Sequence, residues 1–97
     1  MPELLVRRAA RLEIQEAANW YDDRVAGLGA GVVEEVDTCF ESIRSAPRRY
    51  PIVHREIRRA LLKRFPYAVY FVLRAESVII IGCMHTHRDP KRWQRRH

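Results

Sequence analysis

Two consecutive apolar runs near the C-terminal end, Arg64-Phe-Pro-Tyr-Ala-Val-Tyr-Phe-Val-Leu-Arg74 and Val78-Ile-Ile-Ile-Gly-Cys-Met-His85, constrain the fold more than any other part of this chain. The first is rich in Val, Tyr and Phe and the second in Val and Ile, and each is short, which suits two strands better than one helix. Ala75-Glu76-Ser77 is the short link that makes them a hairpin. Alternation puts Tyr67, Val69, Phe71 and Leu73 on one face of the first run and Ala68, Tyr70 and Val72 on the other. Both faces are largely apolar, so this strand belongs inside a sheet and not at its edge. A basic tail, Thr86-His-Arg-Asp-Pro-Lys-Arg-Trp93, leaves the second strand.

The 97 residues make one small domain with one core, expected to occupy residues 1–97. Hydrophobic residues make up 47% and charged residues 31%, the balance of a globular chain and not of a disordered one. No run approaches the roughly 18 apolar residues of a membrane span. The first residues, Met-Pro-Glu-Leu-Leu-Val-Arg-Arg, lack the layout of a signal peptide, so no membrane role is expected and the expected compartment is the cytoplasm. Cys39 and Cys83 are too few for a disulfide framework or a zinc knuckle, and a reduced, buried pair is expected.

Charge is divided unevenly along the chain. Residues 1–50 hold seven basic and nine acidic side chains, whereas residues 51–97 hold eleven basic and three acidic ones, together with all four histidines. A field of one sign concentrated on the second half favours an anionic partner such as nucleic acid, a nucleoprotein or an acidic polypeptide. A solvated basic face that only aids solubility is the plainer reading, and the clustering weighs against it.

In chain order, Leu4-Leu-Val6 can add one strand. Ala10, Ile14, Ala17, Ala18, Tyr21 and Val25 then recur every three to four residues, the stripe of an amphipathic helix, with Trp20 off the stripe at the margin of the core. Gly27-Leu-Gly-Ala-Gly31 reads as a turn between helices, since it fits neither GxxxxGK[ST] nor GxGxxG and no strand precedes it. Leu28, Val32, Val33, Val36, Phe40 and Ile43 form the stripe of a second helix that stops before Pro47. The two helices make an antiparallel hairpin whose apolar side covers the sheet.

His54-Arg-Glu-Ile-Arg-Arg-Ala-Leu-Leu-Lys-Arg64 reads as one more strand. Neither of its faces is purely apolar, because Arg58 and Arg64 alternate with Ala60 and Leu62, and Arg59 and Lys63 with Ile57 and Leu61. If the helices cover one side of the sheet, the other is an open basic face and the place to look for function.

The order strand, helix, helix, three strands, together with particular residues, resembles the RelE/ParE family of bacterial type II toxins, in the group often labelled plasmid stabilisation proteins. The residues are Trp20-Tyr21, Gly27-Leu28-Gly29, Pro47 with Tyr50-Pro51, Ile57-Arg58-Arg59, Arg64-Phe-Pro-Tyr67, and His85-x-x-Arg88-Asp-Pro90 with Trp93. The resemblance implies an α+β domain of β-α-α-β-β-β order: a small antiparallel sheet, a two-helix hairpin packed on one face and a short C-terminal tail. It also implies a growth-arresting toxin held inactive, in a hetero-oligomer, by an antitoxin encoded beside it.

Two chemistries occur in that family, and both carry over as expectations. ParE-like members poison DNA gyrase without known catalytic residues, and the matched set is closer to that branch. Target contacts are then expected from Arg58, Arg64, His85, Arg88 and Trp93, and antitoxin contacts from Trp20, Arg58, Arg59 and Arg74. RelE-like members cut messenger RNA on the ribosome, which needs a base for the 2′-OH, cations for the phosphorane and an acid for the leaving oxygen. Glu56 or His85, Arg58, Lys63 or Arg64, and His87 are the residues available for that chemistry. Many of the ribonuclease members end the last strand with a tyrosine; here stand His85-Thr86-His87, and no tyrosine follows Tyr70. A third reading is a non-toxic module that only docks a partner.

His85 continues the alternation of Ile79, Ile81 and Cys83, which is also the position of a partly buried structural histidine. His85-x-His87 invites a zinc reading, but a site needs three or four ligands and only His54 and the cysteines could complete it. No metal and no cofactor are expected. Whether the chain is an enzyme is left open by its residues.

Overall fold

The computed structural model describes residues 2–97. Glu3–Val6 forms β1, Arg8–Arg24 α1 and Leu28–Ser45 α2; after a 3-10 turn at Pro47–Arg49 come β2 (Ile52–His54), β3 (Ile57–Leu61), β4 (Tyr67–Arg74), β5 (Ser77–His85) and a short helix α3 (Lys91–Gln94). The sheet runs β1-β5-β4-β3-β2. Strands β2 to β5 pair antiparallel, and β1 joins parallel to β5 with Glu3 opposite Ser77 and Val6 opposite Ile80. The expected α+β order and helical hairpin are therefore present, but β1 lies parallel in a sheet expected to be antiparallel, and there is one strand more than expected.

The β4–β5 hairpin is the centre of the sheet, as its two apolar runs require. Residues on both faces of β4 from Ala68 to Val72 are buried. Its turn is Ala75-Glu76, and Ala75 takes a left-handed backbone with φ of 52°. Opposite Tyr70 and Phe71 the register slips from Gly82 to Ile80, so Ile81 is the extra residue of a bulge. The bulge resets the alternation: Val78, Ile80 and Cys83 pack toward the helices, and Ile79, Ile81 and Met84 toward the far side. His85 consequently leaves the face of Ile79 and Ile81, where simple alternation had put it.

The stretch expected to form one strand from His54 to Arg64 is instead a hairpin. Arg55, with φ of 52°, and Glu56 make its turn, which leaves three-residue β2 as the edge of a five-stranded sheet. The turn between the helices is also shorter than expected. It occupies residues 25–27, and Gly29 and Gly31 already belong to α2. Gly29 is needed for a different reason: a Cβ there would stand 2.4 Å from the Ala18 carbonyl oxygen, because α1 and α2 touch at this point. Its N–H donates to Asp22 Oδ1 at 2.7 Å, giving the first turn of α2 an acceptor from the preceding helix.

Under the helices, Ala10, Ala17, Val32, Val36 and Ile43 pack on Val69, Phe71, Val78 and Ile80; Phe40 is only partly buried at the margin. The other face does not stay open. Ile57, Ala68, Tyr70, Val72, Ile81 and Met84 form a second apolar cluster, closed by Trp93. The Trp93 indole stacks on Tyr70 at 4.4 Å between centroids and 15° between planes. The basic tail thus folds back as α3. Arg96 then reaches α1, where its guanidinium holds Glu13 through two bonds of 2.8 and 2.9 Å and also donates to the Ile81 carbonyl. A Cβ at Gly82, next to the bulge, would meet Arg96 at 3.0 Å, so this glycine makes room for the pair.

Candidate functional site

A groove of about 300 Å³ lies between α1 and the end of β5, under the start of the tail. Leu12, Glu16 and Trp20 of α1 form one wall, Tyr67 and His85 form the floor, and Arg88 and Arg92 form the far rim. Each wall follows from local structure. Leu12, Glu16 and Trp20 are spaced by four and share one face of α1, while the slipped register brings Tyr67 opposite His85 on adjacent strands.

Aromatic rings run from the α1 wall to the floor. Trp20 meets Tyr21 edge-on at 4.9 Å, Tyr21 meets Tyr67 at 6.3 Å, and Tyr67 meets His85 at 5.4 Å. Trp20 is 47% exposed and the Arg24 guanidinium lies 3.3 Å from its ring centroid. His85 Nδ1 accepts the His87 N–H at 3.0 Å, so a neutral imidazole carries its proton on Nε2. Burial, helped by the neighbouring Tyr21 phenol, raises the Tyr67 hydroxyl above its usual value, against the opposing pull of Arg88. Tyr67 therefore stays a hydrogen-bond donor at neutral pH. Cys83, beneath the groove, is pushed up to about 12 by burial and by Glu13, which makes its thiol inert.

The groove thus combines apolar surface, a phenol, an imidazole, the paired Arg96 and Glu13, the wall carboxylate Glu16 and the two rim arginines Arg88 and Arg92. It suits an amphipathic acidic segment or a phosphate.

The residues named from sequence do not gather in one place. Glu56 sits in the β2–β3 turn, bound to Arg74 at 3.0 Å and to His97 at 2.9 Å. Arg74 pairs with Ser77 at the opposite end of β5 from His85, which separates Glu56 from His85 by roughly 25 Å of strand. Arg58 donates to the Arg48 and Tyr50 carbonyls and so fastens the 3-10 turn. Glu35 of α2 accepts from the backbone N–H groups of both Lys63 and Arg64 and from Arg64 Nε at 3.1 Å. Burial raises the Glu35 carboxyl, but these bonds from Arg64 and Lys63 outweigh it and leave the value below the usual 4.5. Arg59 stands across from Tyr70 on the neighbouring strand, and Trp93 is buried in the core.

Of the ribonuclease set, only His85 and His87 are adjacent, with ring centroids 5.2 Å apart; Glu56, Arg58 and the Lys63–Arg64 pair lie in three other places. Of the target set, His85 and Arg88 share the groove, while Arg58 and Trp93 have structural partners. Of the antitoxin set, Trp20 is exposed, Arg58 and Arg74 are elsewhere and engaged, and Arg59 stands on β3 across from Tyr70. Tyr67, Leu12, Glu16 and Arg92 escaped the sequence reading as a group. Tyr67 was legible as a strand residue, but the bulge that pairs it with His85 was not. Among the described residues no three of His, Cys, Asp and Glu come together as a metal site, and no helix is long and apolar enough to cross a membrane.

No protein-family model matches the chain, and no curated protein matches it by sequence. A solved structure does. A chain of the chromosomal ParDE TA (toxin–antitoxin) system from P. aeruginosa superposes with a TM-score of 0.79 at 15% identity, covering 88% of this chain and 96% of that one. At that identity the likeness shows a shared fold.

Proposed function

We propose that this chain is the toxin of a type II toxin–antitoxin pair, a ParE-like inhibitor of DNA gyrase that acts in the cytoplasm and is neutralised by a cognate antitoxin. The fold shared with a chain of a ParDE system supports the toxin part of this reading. The observation that carries the gyrase part is the scattering of the ribonuclease residues, with Glu56 at the other end of the sheet from His85. A base, a phosphate clamp and an acid must meet at one phosphodiester, and these do not. Poisoning a large enzyme needs shape and charge, which His85 and Arg88 supply at an exposed end of the sheet, with Arg64 on the loop that leads into β4.

One observation favours ribosome-dependent RNA cleavage as a second reading. Tyr67, His85 and Arg88 line a single groove, and the Tyr67 phenol, on the strand beside His85, can serve as an acid there.

For the antitoxin, the reading assigns the same groove, with Trp20 as the apolar anchor and Arg88 and Arg92 as the rim. An amphipathic acidic segment that folds as it binds fits it. The complex should survive high salt, because apolar burial holds it as well as charge; complete dissociation at moderate ionic strength would contradict this. Expression of the chain alone should arrest growth, and co-expression of the product of an adjacent short reading frame should restore it. Harmless expression alone would favour a module that only docks a partner.

A further inference from the structure

Helix α3 carries a second concentration of positive charge on the side away from the groove. It turns Trp93 into the core, and Lys91 and Arg95, four residues apart, stand on one outward face. Across a recess from that face lies the β2–β3 turn, where Arg55 takes a left-handed backbone. Arg55, Lys91 and Arg95, with His54, Gln94 and His97, line an open recess of about 390 Å³. No carboxylate side chain lines it. Glu56, next to Arg55, already binds Arg74 and His97, and among the described residues Arg55, Lys91 and Arg95 form no ion pair. Three unpaired cations side by side repel one another, and a polyanion relieves that repulsion.

We propose that this recess binds the phosphodiester backbone of duplex DNA without regard to sequence. Two features favour a duplex backbone over other anions. Single strands are held by stacking bases on exposed aromatic rings, and here Trp93 and Tyr70 are buried against each other. An acidic protein partner would need an apolar interface core, and every residue lining the recess is polar or charged. Backbone contact needs only cations and N–H donors, which Arg55, Lys91, Arg95 and Gln94 provide. The site stands apart from the gyrase reading: duplex binding by a chain with no effect on gyrase would leave it intact.

The test is a fluorescence anisotropy titration of the purified chain against short labelled duplexes of unrelated sequence, across a range of salt. Three neutralised phosphates predict a log–log salt slope of about −2.7, and removing two of the cations brings it to about −0.9. Lys91→Ala with Arg95→Ala should show that change and weaken all duplexes alike. The matched control, Arg48→Ala with Arg49→Ala, removes the same charge from the exposed 3-10 turn and should leave the slope unchanged. All four side chains are exposed, and unaltered circular dichroism will confirm that both variants fold. An equal loss in the control would overturn the proposal, because net charge alone would then explain the binding. Tighter binding of a single strand, or equal binding of polyglutamate, would overturn it as well.

Discussion

One face of the sheet lies under two helices, Arg8–Arg24 and Leu28–Ser45, whereas the other lies under the single short helix Lys91–Gln94 and one indole ring. The first cover is a continuous apolar interface built from both helices. The second depends on Trp93 stacked over Tyr70 and on the Arg96–Glu13 pair that fastens the tail. Helices of seventeen and eighteen residues with periodic apolar stripes commit the chain to one packing. A four-residue helix has no such stripe and holds only through its anchors. The lesson is that one face sets the fold and the other is closed by a separable cap, so damage to each should propagate differently.

The largest effect should come from the first face. Phe71 is fully buried under the helices, and Phe71→Ala should cost about 3–5 kcal/mol, enough to unfold much of so small a domain in a urea melt. Phe40, partly buried, should cost less than that when truncated. Trp93→Ala should cost about 1–3 kcal/mol and act locally. Native-state hydrogen exchange should speed up in residues 86–97 while α1 and α2 stay protected; a uniform loss of protection would show that the two faces form one cooperative unit.

Next comes the fastening. Glu13→Gln weakens the clasp on Arg96, whose side chain is 23% exposed, and removes the charge that Cys83 N–H also bonds. It should cost about 1–2 kcal/mol and loosen the tail without altering the helices. The smallest effect belongs to Glu35, which ties α2 to the β3–β4 loop. Its carboxyl is held below 4.5 in the folded state, so its stabilisation is complete above the unfolded value and is lost as pH falls through the folded one. Glu35→Gln should therefore be less stable than the parent by about 1 kcal/mol at neutral pH, and the gap should close in acid. A gap that persists below the folded value would show that side-chain shape, and not charge, matters there.

Most of the architecture was legible in the sequence because it is written in periods. The stripes of α1 and α2, the two-faced apolar pattern of β4 and the stop before Pro47 all follow from burial requirements of local elements. What was illegible depends on single residues and on contacts distant in sequence. Nothing local announces that Ile81 bulges, that Arg55 turns the chain, or that Trp93 folds back. The second apolar face was visible in Ala68, Tyr70 and Val72, but its cover was not, and so it was expected to be open and basic. The candidate site suffered most. Arg58 and Trp93 looked like surface residues and proved to be a loop fastener and a core residue, while the pairing of Tyr67 with His85 needed the bulge.

The central claim is that this chain acts by binding and not by cutting RNA. Purified chain should be added to DNA gyrase with supercoiled DNA and, separately, to ribosomes programmed with messenger RNA. Alongside it go His85→Gln and Arg88→Ala. The reading predicts trapped double-strand breaks with intact RNA, a weaker effect for Arg88→Ala and a mild one for His85→Gln. Codon-positioned RNA cuts with unaffected gyrase, falling about 10²–10⁴-fold with His85→Gln, would contradict it.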